Sequence, residues 1–115
     1  MVIKVKLRRN RYIIFTVFCR DNVNISFREI LNSIFNSILS LFGEVGASKI
    51  SFSLMRYYPE KRLGILRCDH LNLIKMRSAL AFIKDIEGNN VTFRVIKVTG
   101  TFRKAEKILN SLSIT

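Results

Sequence analysis

The sequence predicts an α+β fold: a four-stranded antiparallel sheet with helices on one face and a further helix at the C-terminus. Three observations carry this reading. Strand-like apolar segments recur at residues 10–20, 47–58, 63–68 and 91–98. Two segments of helical period, 27–42 and 73–86, fall between them, and a third follows Gly100. The 115 residues, 49% apolar and 24% charged, are the size and make-up of one domain with one core. No repeat, low-complexity tract or linker divides residues 1–115.

The first strand is apolar on both faces. Ile13, Phe15, Val17 and Cys19 alternate with Tyr12, Ile14, Thr16 and Phe18, so this strand is central in its sheet. Ser26 and Glu29 have the spacing of a capping box. Phe27, Ile30, Leu31, Ile34, Phe35, Ile38, Leu39 and Phe42 then recur at helical spacing up to Gly43, which supplies the stop. From Ala47 to Tyr58, Ile50, Phe52 and Leu54 face inward while Lys49, Ser51, Ser53 and Met55 face outward. Residues 59–62 turn the chain, and Leu63 to Cys68 returns to complete a hairpin. Leu73, Met76, Ala79, Leu80 and Ile83 mark a second helix ending near Ile86. Gly88, Asn89 and Asn90 turn into the fourth strand, Val91 to Val98. Phe102, Ala105, Ile108, Leu109 and Leu112 mark the final helix.

The order β-α-β-β-α-β-α matches the split βαβ plan, ferredoxin-like or RRM-like. The last helix is left over, and the outward apolar residues Ile14, Phe18 and Ile96 need a cover. Either that helix or a partner protein supplies it, which makes these three candidate partner-interface residues.

The amino terminus imitates a secretory signal, with a basic lead-in before Tyr12 to Cys19. The apolar stretch is short, however, Arg20 and Asp21 follow it, and no small-x-small cleavage site appears. It reads as a buried strand. No stretch approaches the roughly 18 apolar residues of a membrane span, the long segment from Phe27 to Phe42 being broken by Asn32, Ser33, Asn36, Ser37 and Ser40. Cys19 and Cys68 both fall in predicted strands and read as buried free thiols, which implies a reducing, cytoplasmic setting.

Catalytic chemistry is scarce. One His and two Cys leave little for a zinc site or a Cys–His nucleophile. His70 stands at a strand–helix junction beside Asp69, a position where a surface imidazole is ordinary. Glu44, Glu60, Asp85 and Glu87 sit near turns and helix ends, where solvated carboxylates belong. Gly43, Gly46, Gly64 and Gly100 have no phosphate-cradling spacing.

Cations are abundant. Twenty Lys and Arg against eight Asp and Glu give a net charge of +12, a field that draws polyanions. Residues 1–20 hold six Lys or Arg and no acid. Lys61, Arg62 and Arg67 sit on or beside the hairpin, and Arg94, Lys97, Arg103, Lys104 and Lys107 cluster late in the chain, offset only by Glu106. The candidate RNA contacts are Arg8, Arg9, Arg11, Arg62, Arg67, Arg94, Arg103 and Lys104. The third strand lacks the aromatics on which sheet-based RNA-binding domains stack bases, while Tyr12 and Phe18 either stack a base or pack. Phosphate-directed binding to a structured RNA fits better. Thr99, Gly100 and Thr101 form either an ordinary helix cap or a phosphate site at the free amides of the last helix.

Four segments stand out in order: Leu7-Arg8-Arg9-Asn10-Arg11-Tyr12-Ile13-Ile14-Phe15, Leu41-Phe42-Gly43-Glu44-Val45-Gly46-Ala47, Gly64-Ile65-Leu66-Arg67-Cys68 and Val98-Thr99-Gly100-Thr101-Phe102-Arg103-Lys104-Ala105. Together they resemble archaeal ribonuclease P protein component 2. Met76-Arg77-Ser78-Ala79-Leu80 resembles the family's second helix. Where the family has Ser-Gly-Thr before the last helix, this chain has Thr99-Gly100-Thr101, which keeps the hydroxyl. The resemblance implies a non-catalytic subunit of ribonuclease P, the endonuclease that removes the 5′ leader of pre-tRNA. It implies that the RNA subunit, with Mg2+, carries the chemistry, and that the chain itself binds no cofactor. It also implies component 3 and other ribonuclease P proteins as partners, and self-association in a two-plus-two assembly. Two other readings stand beside it: a protein–protein adaptor whose charge serves solubility, and a small acyl-phosphate hydrolase on the same fold, for which no Arg-bearing phosphate loop is found.

Overall fold

The computed structural model describes residues 9–21 and 23–113. The expected central strand is β1 (Asn10–Cys19), flanked on both sides by antiparallel partners. Around it the chain runs α1 (Phe27–Ser48), β2 (Phe52–Tyr58), β3 (Leu63–Asp69), a 3-10 turn (His70–Asn72), α2 (Leu73–Phe82), β4 (Asp85–Ile86), β5 (Asn89–Thr99) and α3 (Phe102–Ser113). All pairings are antiparallel, in the order β2-β3-β1-β5-β4.

The sheet therefore has five strands where four were expected. The extra one, Asp85–Ile86, falls where the sequence pattern predicts the end of the second helix, which instead stops at Phe82 with Ile83 already extended. β4 and β5 are joined by Glu87 and Gly88, both with positive φ (51° and 83°), the backbone a two-residue hairpin turn requires. The turn thus lies one residue earlier than the Gly-Asn-Asn stretch suggested. β2 also starts later, at Phe52. Gly43 (φ 71°) interrupts α1 as anticipated, but the chain resumes helical winding as far as Ser48.

Strand alternation separates two cores. Ile13, Phe15 and Val17 of β1 point with Leu54, Leu66, Cys68, Val91 and Phe93 toward one layer formed by α1 and α2. Ile30, Ile34 and Ile38 come from α1, and Met76, Ala79 and Leu80 from α2. Ser37 Oγ donates to the Ala79 carbonyl (2.6 Å) and ties the two helices together. By length and composition α1 is long and apolar enough to cross a membrane, although no unbroken apolar run reaches that length; its buried isoleucines belong to this core.

On the opposite face α3 sets Ala105 and Leu109 over Ile14, Leu63 and Ile65. Met55 packs there too: a bulge between Leu54 and Arg56 leaves it extra in β2. Burying one such Leu or Ile contributes about 1.5–3 kcal/mol, enough to hold a short helix in place. This corrects the assignment of Ile14 to a partner interface, because α3 reduces its exposure to 0% within the chain. Phe18 (55%) and Ile96 (41%) lie beyond the reach of α3 and stay exposed.

Candidate nucleic-acid interface

β5 alternates cleanly. Val91 and Phe93 enter the first core, while Thr92 and Arg94 stand exposed opposite Phe18 and Thr16 of β1. A register shift makes Ile96 an extra residue in β5, and Lys97 then pairs opposite Ile14 on the face that carries α3. Such a bulge twists a strand and re-aims its side chains. Beside it lies an open groove of about 420 Å³ between β5 and α3, lined by Lys97, Val98, Thr99, Gly100, Lys104, Lys107 and Ile108.

The flank of α3 toward this groove presents ammonium groups and no acid. Glu106, the acid of α3, is turned to the other side, where Oε2 meets Arg56 Nη2 at 3.5 Å. The Arg56 guanidinium also lies 5.3 Å from the Phe102 ring centroid. Arg56 was not singled out from sequence; it neutralises Glu106 on the side of α3 away from the groove. At the far end, Arg11 Nη1 lies 3.9 Å from where a Cβ on Gly100 would stand, so the groove continues into the basic start of β1. Arg11 Nη1 donates to the Asn10 carbonyl (3.1 Å), which steadies the guanidinium.

The remaining predicted residues are scattered. Arg8 lies outside the described residues. Arg9 is exposed, and its carbonyl accepts from the His70 amide (2.8 Å) with His70 Nδ1 at 3.1 Å. Arg103 is exposed on α3 but does not line the groove, whereas Lys104 does. Arg67 is half-buried on β3, opposite Tyr12 and Ser53. Arg62 sits at the other end of the sheet with φ 52°, donating to the Val23 carbonyl (2.8 Å).

Thr99, Gly100 and Thr101 resolve toward the cap. Thr101 Oγ1 accepts the Lys104 amide (3.3 Å) and Thr99 Oγ1 donates to the Thr101 carbonyl (2.9 Å). Those hydroxyls serve the start of α3, and only the Thr99–Gly100 segment borders the groove.

Acids are used for structure. Ser26 Oγ accepts the Glu29 amide (3.2 Å), and the Ser26 amide points back at Glu29 Oε1 (3.5 Å). Asp69 accepts from Asn72 (2.8 Å), and Asp85 from the Gly88 amide (3.2 Å). Among the described residues no three His, Cys, Asp or Glu come together in a way that could hold a metal ion. A second groove of about 320 Å³, between α1 and β4, gathers Glu29, Asn32, Asn36, Asp85 and Glu87, a lining of the wrong sign for a polyanion. Both thiols are free, and burial, reinforced by Asp69 and opposed by Arg11, pushes Cys68 up to about 11. It is a core thiol and not a nucleophile.

Residues 11–110 match the family model described as Rpp14/Pop5. The chain is 30% identical over 99 residues to Ribonuclease P protein component 2 of Pyrococcus furiosus, covering 86% of this chain and 81% of that protein. It is 39% identical over 67 residues to the Ribonuclease P/MRP protein subunit POP5 of Schizosaccharomyces pombe, covering 56% and 48%. In shape it resembles a chain in the cryo-EM structure of yeast Ribonuclease MRP, with a TM-score of 0.69, 12% identity, and 96% and 93% of the two chains covered.

Proposed function

The chain belongs to the Rpp14/Pop5 family, and on that premise we propose that it is a protein subunit of ribonuclease P that binds the RNA subunit and supports its cleavage of pre-tRNA. The observation that carries this reading is the acid-free groove of Lys97, Lys104 and Lys107, running on to Arg94 along β5 and to Arg11 past Gly100. Lysines anchored on a sheet strand and a packed helix neutralise phosphates, so RNA helices that would repel each other approach. Its work is electrostatic.

Glu29, Asp69 and Asp85 are tied to caps and turns and Glu106 to Arg56, and among the described residues no three acids gather to hold a metal ion, so we assign the hydrolytic step, with Mg2+, to the RNA and none of it to this chain. The strand order β2-β3-β1-β5 supports a split βαβ scaffold to which β4 and α3 are added. Exposed Val45, Leu71, Ile74 and Phe82 on the α1–α2 side support protein partners; component 3, a second copy of the chain and a cytoplasmic setting are what we propose from the family resemblance. The same side chains favour the adaptor reading, which differs in giving the cations no RNA to hold.

The test is a salt titration. Each phosphate neutralised contributes roughly 0.7–0.9 to the slope of log affinity against log salt. Changing Lys97, Lys104 and Lys107 together to Ala is expected to lower the slope for the ribonuclease P RNA by about 2–3, and to lower pre-tRNA cleavage by the reconstituted particle. An unchanged slope in a folded variant refutes the groove as the RNA contact.

A further inference from the structure

We propose that Phe18 is a stacking platform for one unpaired base of single-stranded RNA, and that the pocket beside it receives that base. The inference rests on the RNA-binding reading above and deepens it. Phe18 is 55% exposed, whereas its β1 neighbours Ile13, Ile14, Phe15 and Val17 are at most 2% exposed. It therefore presents a ring to solvent from the central strand of the sheet, paired on both sides. Next to it lies an open pocket of about 300 Å³, in which Asn24, Pro59, Glu60 and Arg62 face Thr16 and Phe18. The chemistry there suits a nucleobase. The Asn24 amide offers both donor and acceptor, and the Glu60 carboxylate accepts from a ring amino group.

The surroundings favour RNA over a protein. Arg94 lies opposite Thr16 and Lys97 opposite Ile14 on the same face, about 7 and 13 Å along the strands from the Phe18 position at the usual rise per residue. A strand that stacks at Phe18 then carries its following phosphates past Arg94 and Lys97 into the lysine groove. The core of a protein interface is depleted of charge, yet here Arg62 lines the pocket and Arg94 and Lys97 stand on the same face as Phe18, with Val23 and Ile96 as the further exposed apolar residues of this region. The larger apolar surface is elsewhere, on α1 and α2. An aromatic flanked by cations on a sheet is the arrangement that holds single strands.

The chain has no Trp and three Tyr, so Phe18→Trp places a single indole at the site, excited selectively at the red edge of its absorption. Single-stranded octanucleotide RNA is expected to quench its emission, while an abasic strand of the same length is expected to bind without quenching. Phe18→Ala in the full chain is expected to weaken the base-bearing strand roughly 5- to 100-fold and to leave the abasic strand unaffected. Equal affinity of wild type and Phe18→Ala for the base-bearing strand, with no quenching, overturns stacking but leaves the phosphate reading intact. Failure of wild type to bind either strand at low salt overturns both. Emission of Phe18→Trp that responds only to a folded protein partner assigns the site to that protein and overturns the proposal.

Discussion

At Gly64 the packing leaves no room for a Cβ. It would stand 2.6 Å from Phe15 Cζ and 2.9 Å from the Arg56 carbonyl oxygen. Phe15 is fully buried in the first core, and the carbonyl belongs to the neighbouring strand, so neither yields cheaply. Gly64→Ala is expected to destabilise the fold by about 1–3 kcal/mol, read as a lower urea midpoint with an unchanged slope. A second residue-scale effect is pH-dependent. Burial raises Cys68 to about 11 and Tyr57 to about 12, the latter with its hydroxyl donating to the Ile25 carbonyl (2.9 Å). The unfolded chain then loses these protons first, so the stability they contribute is complete below pH 9 and is lost as pH rises, over 9 to 11 for the thiol and 10 to 12 for the phenol. Thermal midpoints taken between pH 8 and 11 are expected to fall, and Cys68→Ala to fall less over the thiol window.

Among the elements, α1 shows how a local motif sets a boundary. Ser26 and Glu29 exchange hydrogen bonds at its start, and Ser26→Ala is expected to cost about 1 kcal/mol, again by urea denaturation. This end was legible because a capping box is local: two residues three apart suffice. β4 was not, for the same reason inverted. Two residues carry no periodicity, and Glu87 at positive φ is not a residue that announces a hairpin turn. The alternation of β1 correctly predicted a strand covered on both faces, but no pattern in α3 could say that it would lie over Ile14 and leave Phe18 bare. Site residues followed the same rule. Arg94 and Lys104 stood out as members of a cationic cluster. The convergence of Lys104 with Lys97 and Lys107 on one groove, with Arg94 beyond it along β5, depends on a bulge and on how α3 packs on the sheet, both of which are tertiary.

For the whole molecule, sheet topology has a consequence for storage and overexpression. β5 runs eleven residues, yet β4 pairs with it only at Asn89 and Asn90. From Thr92 onward, among the described residues, that side of β5 has no neighbouring strand. An open edge is a template on which another copy can add a strand and seed a fibril. Charged side chains and bulges are what deter this, and β5 has both in Arg94, Lys97 and the extra Ile96. The double variant Arg94→Thr, Lys97→Thr is expected to remain folded but to scatter light on concentration at physiological salt, where wild type stays clear. A clear solution of the variant would leave the bulge as sufficient guard. RNA laid along this face would screen the charge repulsion between copies, but it would also occupy the edge. The vulnerable species is then the chain made in excess of its RNA, and co-expression with that RNA is expected to raise the soluble yield of the variant more than that of wild type.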